Sequence, residues 1–111
     1  MSEYLSEDPR FWLKYHIYKY FKDDDGRSVD KFEMRDSGRY VIFVIRITYW
    51  YVVEQEFIFD PSTNLFKRTS VICLSVNGRG SNSSKRYEED KWITQKEVFQ
   101  LIVDHSDSYD Y

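Results

Sequence analysis

A helical pattern of apolar and polar positions runs through residues 9–22, near the start of the chain. Asp8 followed by Pro9 is typical of a helix start, because the aspartate side chain accepts a hydrogen bond from a free backbone N–H and proline has no N–H to satisfy. At the other end, the aspartate run 23–25 leads to Gly26, a residue type that often ends helices in the left-handed conformation. The pattern therefore predicts a first helix over residues 9–22.

This first helix carries more apolar residues than one core-facing stripe needs. A stripe about 100° wide is enough to pack against a core, and helical spacing forms one from Leu13, Ile17, Tyr20 and Phe21. A second group of aromatic residues with interleaved lysines comprises Phe11, Trp12, Tyr15, Tyr18, Lys19 and Lys22. Because large exposed apolar patches are uncommon on monomers, this group either packs against the C-terminal helix or forms an interface with another protein. Both alternatives fit the sequence, as does burial of either face.

The middle of the chain has the pattern of β-strands. Residues 28–35 alternate around Phe32 and Met34, which predicts an edge strand. Residues 40–59 are rich in the β-branched and aromatic types that favour strands, and Arg46 interrupts the run, so it is not predicted to span a membrane. A straight strand of about 20 residues would be roughly 66 Å long, far longer than a domain of this size. The run is therefore either a hairpin or one long, curved antiparallel strand with one core face, and the curved strand is the simpler account.

The last third of the chain predicts one more strand and a second helix. Thr94 and Glu97 have the spacing of a capping box at a helix start. The other segments are a turn, a strand, a polar stretch expected to be a mobile loop, and an acidic tail expected to fray, at residues 60–64, 66–76, 77–86 and 104–111. The fold class is thus a single α+β domain over residues 1–111. It has an N-terminal helix, a curved antiparallel sheet of three or four strands and a C-terminal helix, in the order α-β-β-β-α.

Composition restricts the class of function. The chain has 16 lysines and arginines against 19 acidic residues, a net charge of -3. Binding to a nucleic-acid backbone as the main activity is therefore not expected, because it needs clustered positive charge. The single cysteine, Cys73, lies in an apolar run and is predicted to be a buried thiol without a disulfide. With no apolar signal region at the start of the chain, a cytoplasmic, intracellular location is expected.

Two features of the composition indicate the kind of genome that encodes the chain. Aromatic residues make up 19% of the chain and alanine is absent, although no fold requires its absence. Glycine and proline are also scarce, and all three types have GC-rich codons. We therefore hypothesise an AT-rich coding genome, such as that of a phage or another virus.

The sequence contains no motif that predicts catalysis, a metal site or a cofactor site. Residues 23–33 look like a calcium loop, but counting around Gly26 places Phe21 and Phe32 at the first and twelfth ligand positions of an EF-hand. His16 and His105 lack metal-ligand spacing. One small-ligand pocket is conceivable on the sheet, at the mouth of its curve, with Arg46, Trp50, Glu54 and Glu56.

The leading hypothesis is a non-enzymatic protein-binding domain of the inhibitor or immunity-protein type, which acts by stoichiometric occlusion of a macromolecular partner. The second aromatic group of the first helix would form the contact surface. Mild acidity favours a basic or nucleic-acid-binding partner contacted by Asp23, Asp24 and Asp25, and a homodimer is an alternative. The runner-up is a curved-sheet protein that binds or transforms a small molecule. A third hypothesis is nucleic-acid binding through Lys14, Lys19 and Lys22.

Overall fold

The computed structural model describes residues 8–23, 26–49, 51–76, 79–86 and 91–104. Two helices and five strands follow one another as α1 (Pro9–Lys22), β1 (Ser28–Ser37), β2 (Tyr40–Thr48), β3 (Tyr51–Asp60), β4 (Leu65–Val76), β5 (Arg79–Arg86) and α2 (Gln95–Asp104). The strands form one antiparallel sheet in chain order, β1-β2-β3-β4-β5. The α+β fold class, with a helix before and a helix after an antiparallel sheet, is confirmed.

The long apolar run at residues 40–59 is a hairpin. β2 and β3 pair antiparallel, with Thr48 opposite Val52 at the turn and Val41 opposite Phe59 at the far end. The hairpin thus settles the choice between one bent strand and two strands. Pairing is favoured because the alternating apolar residues of both strands then face the same side.

The fifth strand replaces a segment for which the sequence predicted a loop. Residues 79–86 are extended and pair with β4, Val76 opposite Arg79 and Ser70 opposite Arg86; residues 77–78 lie outside the described residues. Glycine, serine and asparagine have low intrinsic preference for strands, but the free edge of β4 offers unpaired backbone groups that such a segment can satisfy. Tertiary pairing therefore overrides the local preference.

Both helices pack on one face of the sheet. The core contains the inward-facing residues of β2 and β3, including Phe43, Ile45 and Phe57, together with Val98 and Ile102 of α2. The molecule is correspondingly flat, with principal extents of 40 × 34 × 20 Å. One sheet face is thus covered by helices, as expected for a two-layer α+β domain.

The rotation of α1 about its axis is fixed by its core stripe. Leu13, Ile17 and Phe21 are buried in the core, as predicted. Tyr20, assigned to the same stripe, is instead 39% exposed. It lies at the margin of the stripe, where its hydroxyl accepts a hydrogen bond from Arg27 at 3.2 Å.

Both helix starts have the predicted caps. The Asp8 carboxylate accepts a hydrogen bond from the backbone N–H of Arg10 at 2.9 Å. At α2, the Thr94 N–H donates to Glu97 at 3.0 Å and the Glu97 N–H donates to the Thr94 hydroxyl at 3.3 Å. These caps satisfy backbone groups that have no partner inside the helix, so the sequence determines where each helix begins.

A buried polar link connects α2 to the sheet. Gln55, on the helix-covered face of β3, is 2% exposed. Its amide donates to the backbone carbonyl of Leu101 at 3.4 Å and its carbonyl accepts from Arg68 at 3.0 Å. Because a buried amide is costly unless it is hydrogen-bonded, this link restricts where α2 sits on the sheet.

Gly26, between α1 and β1, requires glycine for two reasons. Its φ of +119° is rarely adopted by other residues, and a Cβ there would lie 2.5 Å from the Tyr49 ring. We expect Gly26→Ala to lower the free energy of unfolding by about 2 kcal/mol. The matched control is Gly38→Ala, where φ is +68° but no atom lies within 4 Å of the added carbon. Chemical denaturation should give a smaller loss there, about 1 kcal/mol; equal losses would contradict a steric role for Tyr49.

Candidate functional site

Three aromatic side chains of α1 face away from the core. Phe11, Tyr15 and Tyr18 are 49%, 36% and 43% exposed, and we refer to them as the aromatic stripe. They occupy the side of the helix opposite Leu13 and Ile17, which are fully buried. An ordered helix thus presents three large rings on its outer face.

The C-terminal helix does not cover this stripe. α2 instead contacts the neighbouring flank of α1, where the Phe99 ring lies 6.1 Å from that of Trp12 and 5.6 Å from that of Tyr20, both edge to face. Trp12 is partly buried against the core, so it lies apart from the other aromatic residues with which it was grouped. Of the two arrangements open from the sequence, packing of the stripe against α2 is not the one adopted.

A shallow, open groove of about 600 Å³ runs along the aromatic stripe. Its lining is entirely from α1 and the residue after it: Phe11, Lys14, Tyr15, Tyr18, Lys19, Lys22 and Asp23. We call it the α1 groove. Lys14 was not predicted as part of the partner-binding surface, although its position three residues after Phe11 is a signal for the same face.

The edge strand β1 supports the stripe from the side. The Tyr18 ring lies 6.0 Å from that of Phe32, which in turn packs on the core residue Phe43. Phe11 lines a second depression together with Met34 and Val41. The ring contact with Phe32 therefore limits the positions open to the Tyr18 side chain.

The charges of the α1 groove are mainly positive. Lys19 lies over the Tyr15 ring, with Nζ 5.7 Å from the ring centre. Among the described residues, Lys14 and Lys22 form no ion pair. Asp23 is exposed at the C-cap of α1 and is the one acidic residue of the lining. Asp24 and Asp25, the other predicted acidic contacts, lie outside the described residues.

His16 lies on the flank of α1 between the stripe and α2. Its ring is 4.2 Å from that of Trp12 and 5.1 Å from that of Tyr15. Burial against these rings lowers the pKa of His16, and the positive charge of Lys19 lowers it further. The imidazole is consequently held in its neutral form more strongly than in water.

The predicted pocket residues lie on the sheet face away from the helices. Arg46 donates two hydrogen bonds to Glu54, at 3.0 and 2.8 Å, and one to Asp30 at 3.2 Å. Glu56 accepts a hydrogen bond from the Thr69 hydroxyl at 2.9 Å, and Trp50 lies outside the described residues. The charged groups are thus engaged with other parts of the protein, so Arg46 is a counter-charge within the sheet.

The described residues also bear on the predicted thiol, on metal binding and on membrane spans. Cys73 is fully buried, as predicted. Within the residues that the structure describes, no three His, Cys, Asp or Glu side chains are grouped so that they could hold a metal ion. Neither helix of the described chain is long and apolar enough to cross a membrane.

The lowered pKa of His16 predicts a dependence of stability on pH. Since the folded state resists protonation of His16, stability is expected to fall as the pH drops below the ordinary value of 6.5 toward the pKa in the folded state. An NMR titration of the imidazole should give a pKa below 6.5. Lys19→Gln should raise it only part of the way back, because burial is the larger cause. A pKa at or above 6.5 in the wild-type protein would be incompatible with this environment.

The Arg46–Glu54 pair should contribute to stability rather than to ligand binding. The two side chains are 29% and 19% exposed, so a double-mutant cycle of Arg46→Met and Glu54→Gln should show a coupling of about 0.5–1 kcal/mol in urea unfolding. Lys31→Met and Glu33→Gln form a matched control on β1, because both members of that pair are 40% exposed and their atoms lie 3.7 Å apart. The control coupling should be close to zero; a larger coupling there would refute this ranking of the two pairs.

Function cannot be taken from relatives of this chain. The aromatic stripe and its groove are the most exposed apolar feature of the described residues, whereas Arg46 of the sheet is paired with Glu54 and Asp30. Comparison with protein-family models, with curated proteins and with solved structures found no match.

Proposed function

We propose that the chain is a small, non-enzymatic protein-binding domain that acts by occluding a macromolecular partner, as inhibitors and immunity proteins do. The observation that carries this proposal is the exposure of Phe11, Tyr15 and Tyr18 on an ordered helix, along a groove lined by lysines. A phage or viral origin, for which the codon argument is the basis, would suit such an inhibitor.

The energetics of association favour this surface. Burying a large apolar side chain contributes about 1.5–3 kcal/mol, and aromatic residues at the centre of an interface often carry most of the binding energy. Because the contact with Phe32 of β1 already limits the Tyr18 ring, less side-chain entropy is lost there on binding. Lysines at the margin of the groove provide the polar rim that typical interfaces have.

The sheet site supports the runner-up less well. A small-molecule site needs convergent polar groups that are free to contact the ligand, whereas Arg46 is already hydrogen-bonded to Glu54 and Asp30. A ligand there would have to displace an existing charge pair. We therefore place binding at the α1 groove.

The proposal predicts that the aromatic stripe is needed for partner binding but not for folding. The triple variant Phe11→Ala, Tyr15→Ala, Tyr18→Ala should weaken association at least about a hundredfold, since each hot-spot aromatic contributes about 1–2 kcal/mol or more. Far-ultraviolet circular dichroism should remain unchanged. Tyr20→Ala is the matched control, because Tyr20 is on the same helix and equally exposed but faces α2.

A photo-crosslinking residue would identify the partner and test the surface together. Placed at Tyr15, it should crosslink to a protein that the triple variant fails to retain; placed at Tyr20, it should not. Titration of that partner should then reach full inhibition at one equivalent of the domain. Equal crosslinking from both positions, or undiminished binding by the triple variant, would show that the aromatic stripe is not the contact surface.

A further inference from the structure

The exposed face of α1 has the residue spacing of a helix–helix seam. Phe11, Tyr15, Tyr18 and Lys22 follow one another at intervals of four, three and four residues. This is the alternation of a and d positions in a heptad repeat, with Tyr15 at a and Tyr18 at d. A ridge with this spacing packs into the groove of a second helix at a shallow crossing angle.

Two lysines flank the centre of this seam. Taking Tyr15 as position a and Tyr18 as position d places Lys14 at g and Lys19 at e. Charged residues at e and g positions determine the choice of partner, because they contact the e and g residues of the facing helix. Both lysines line the α1 groove, and no ion pair within the described residues engages Lys14.

A second copy of the same helix is a poor occupant of this seam. In a parallel pair, position g of one helix contacts the following e position of the other, so Lys14 would face Lys19. In an antiparallel pair, Lys14 would face Lys14 and Lys19 would face Lys19. Both arrangements bring like charges together, and this disfavours self-association through the stripe.

We propose that the α1 groove binds an amphipathic helix of another protein, whose apolar seam is flanked by aspartate or glutamate. This inference rests on the proposed function and names the chemistry of the partner segment. It differs from the expectation drawn from net charge, that the partner is basic, because the residues of the contact surface are positive even though the chain as a whole carries -3. Charge complementarity at the surface determines which segment is bound.

Single-stranded nucleic acid is the competing occupant, since it combines negative charge with rings that stack on aromatic residues. The surroundings disfavour it. Asp23 lines the groove itself, and Phe11 lines its neighbouring depression together with Asp36. These carboxylates would repel a phosphate backbone that extends beyond the three lysines.

Three synthetic helical peptides would test the proposal. They share one leucine seam of two or three heptads and differ only at e and g, which are all glutamate, all glutamine or all lysine. Binding is followed by amide chemical shifts of the ¹⁵N-labelled protein. We expect the glutamate peptide to shift the amides around Tyr15 and Tyr18 and to bind about tenfold or more tightly than the lysine peptide.

A charge swap provides the matched control. Lys14→Glu with Lys19→Glu should reverse the preference, so that the lysine peptide binds better than the glutamate peptide. Both positions are exposed on the helix surface, so circular dichroism should be unchanged. Reversal by a variant that keeps its fold cannot result from loss of structure.

The remaining outcomes separate the inference from the function on which it rests. Equal binding of all three peptides at the groove would overturn the acidic-helix proposal and leave protein binding intact. Absence of any shift with the peptides would also overturn it, and the crosslinking experiment would then decide on the function independently. Amide shifts at Tyr15 and Tyr18 with an oligothymidylate, but with none of the peptides, would overturn both the acidic-helix proposal and the protein-binding function. Nucleic-acid binding would then replace them. A dimer in light scattering that dissociates on Tyr18→Ala would show that the seam is used for self-association.

Discussion

The packing of one stripe of α1 against the sheet determines which residues of the helix are exposed. Leu13, Ile17 and Phe21 are buried in the core, and each contributes about 1.5–3 kcal/mol by leaving water. A helix of 14 residues on a two-layer domain has only one side toward the sheet. The remaining aromatic residues must therefore find partners on its flanks or stay exposed.

The flanks accommodate only some of them. Phe99 of α2 packs against Trp12 and Tyr20 on one side. On the other side, the ring of Phe32 in β1 contacts Tyr18 at its edge without covering it. The α1 groove lies between these two flanks, and its lining comes from α1 and Asp23 alone. Exposure of the stripe is thus a consequence of how the neighbouring elements are placed, and a high aromatic content alone does not explain it.

The helices and their core residues could be predicted because their signals are local. The pairing of the strands could not, because it depends on residues far apart in the sequence. The cap at Asp8 and the capping box at Thr94 and Glu97 act within one turn of helix, so they can be read from the sequence. The hairpin at residues 40–59 lacks a typical turn residue near its centre, so one long, curved strand is the simpler interpretation of the sequence, and it is wrong. The formation of β5 depends on backbone pairing with the edge of β4. Its one local signal, the Asn-Gly pair at residues 77–78, is common in two-residue hairpin connections and was read as part of a loop.

The charge of the site was harder to predict than the helices. The net charge of a chain does not determine the local charge of one surface in the folded protein. The sequence identified the aromatic stripe, but it could not separate Trp12 from it, since that depends on where α2 lies. It also pointed to a basic partner through the net charge of -3. In the folded protein, Arg46 is paired with Glu54 and Asp30, and Lys31 and Arg35 lie near Glu33. These three cations of the sheet are thereby paired with carboxylates of the domain. Lys14 and Lys22 of α1 form no ion pair among the described residues, so the helix face that carries the aromatic stripe is positive on an acidic protein.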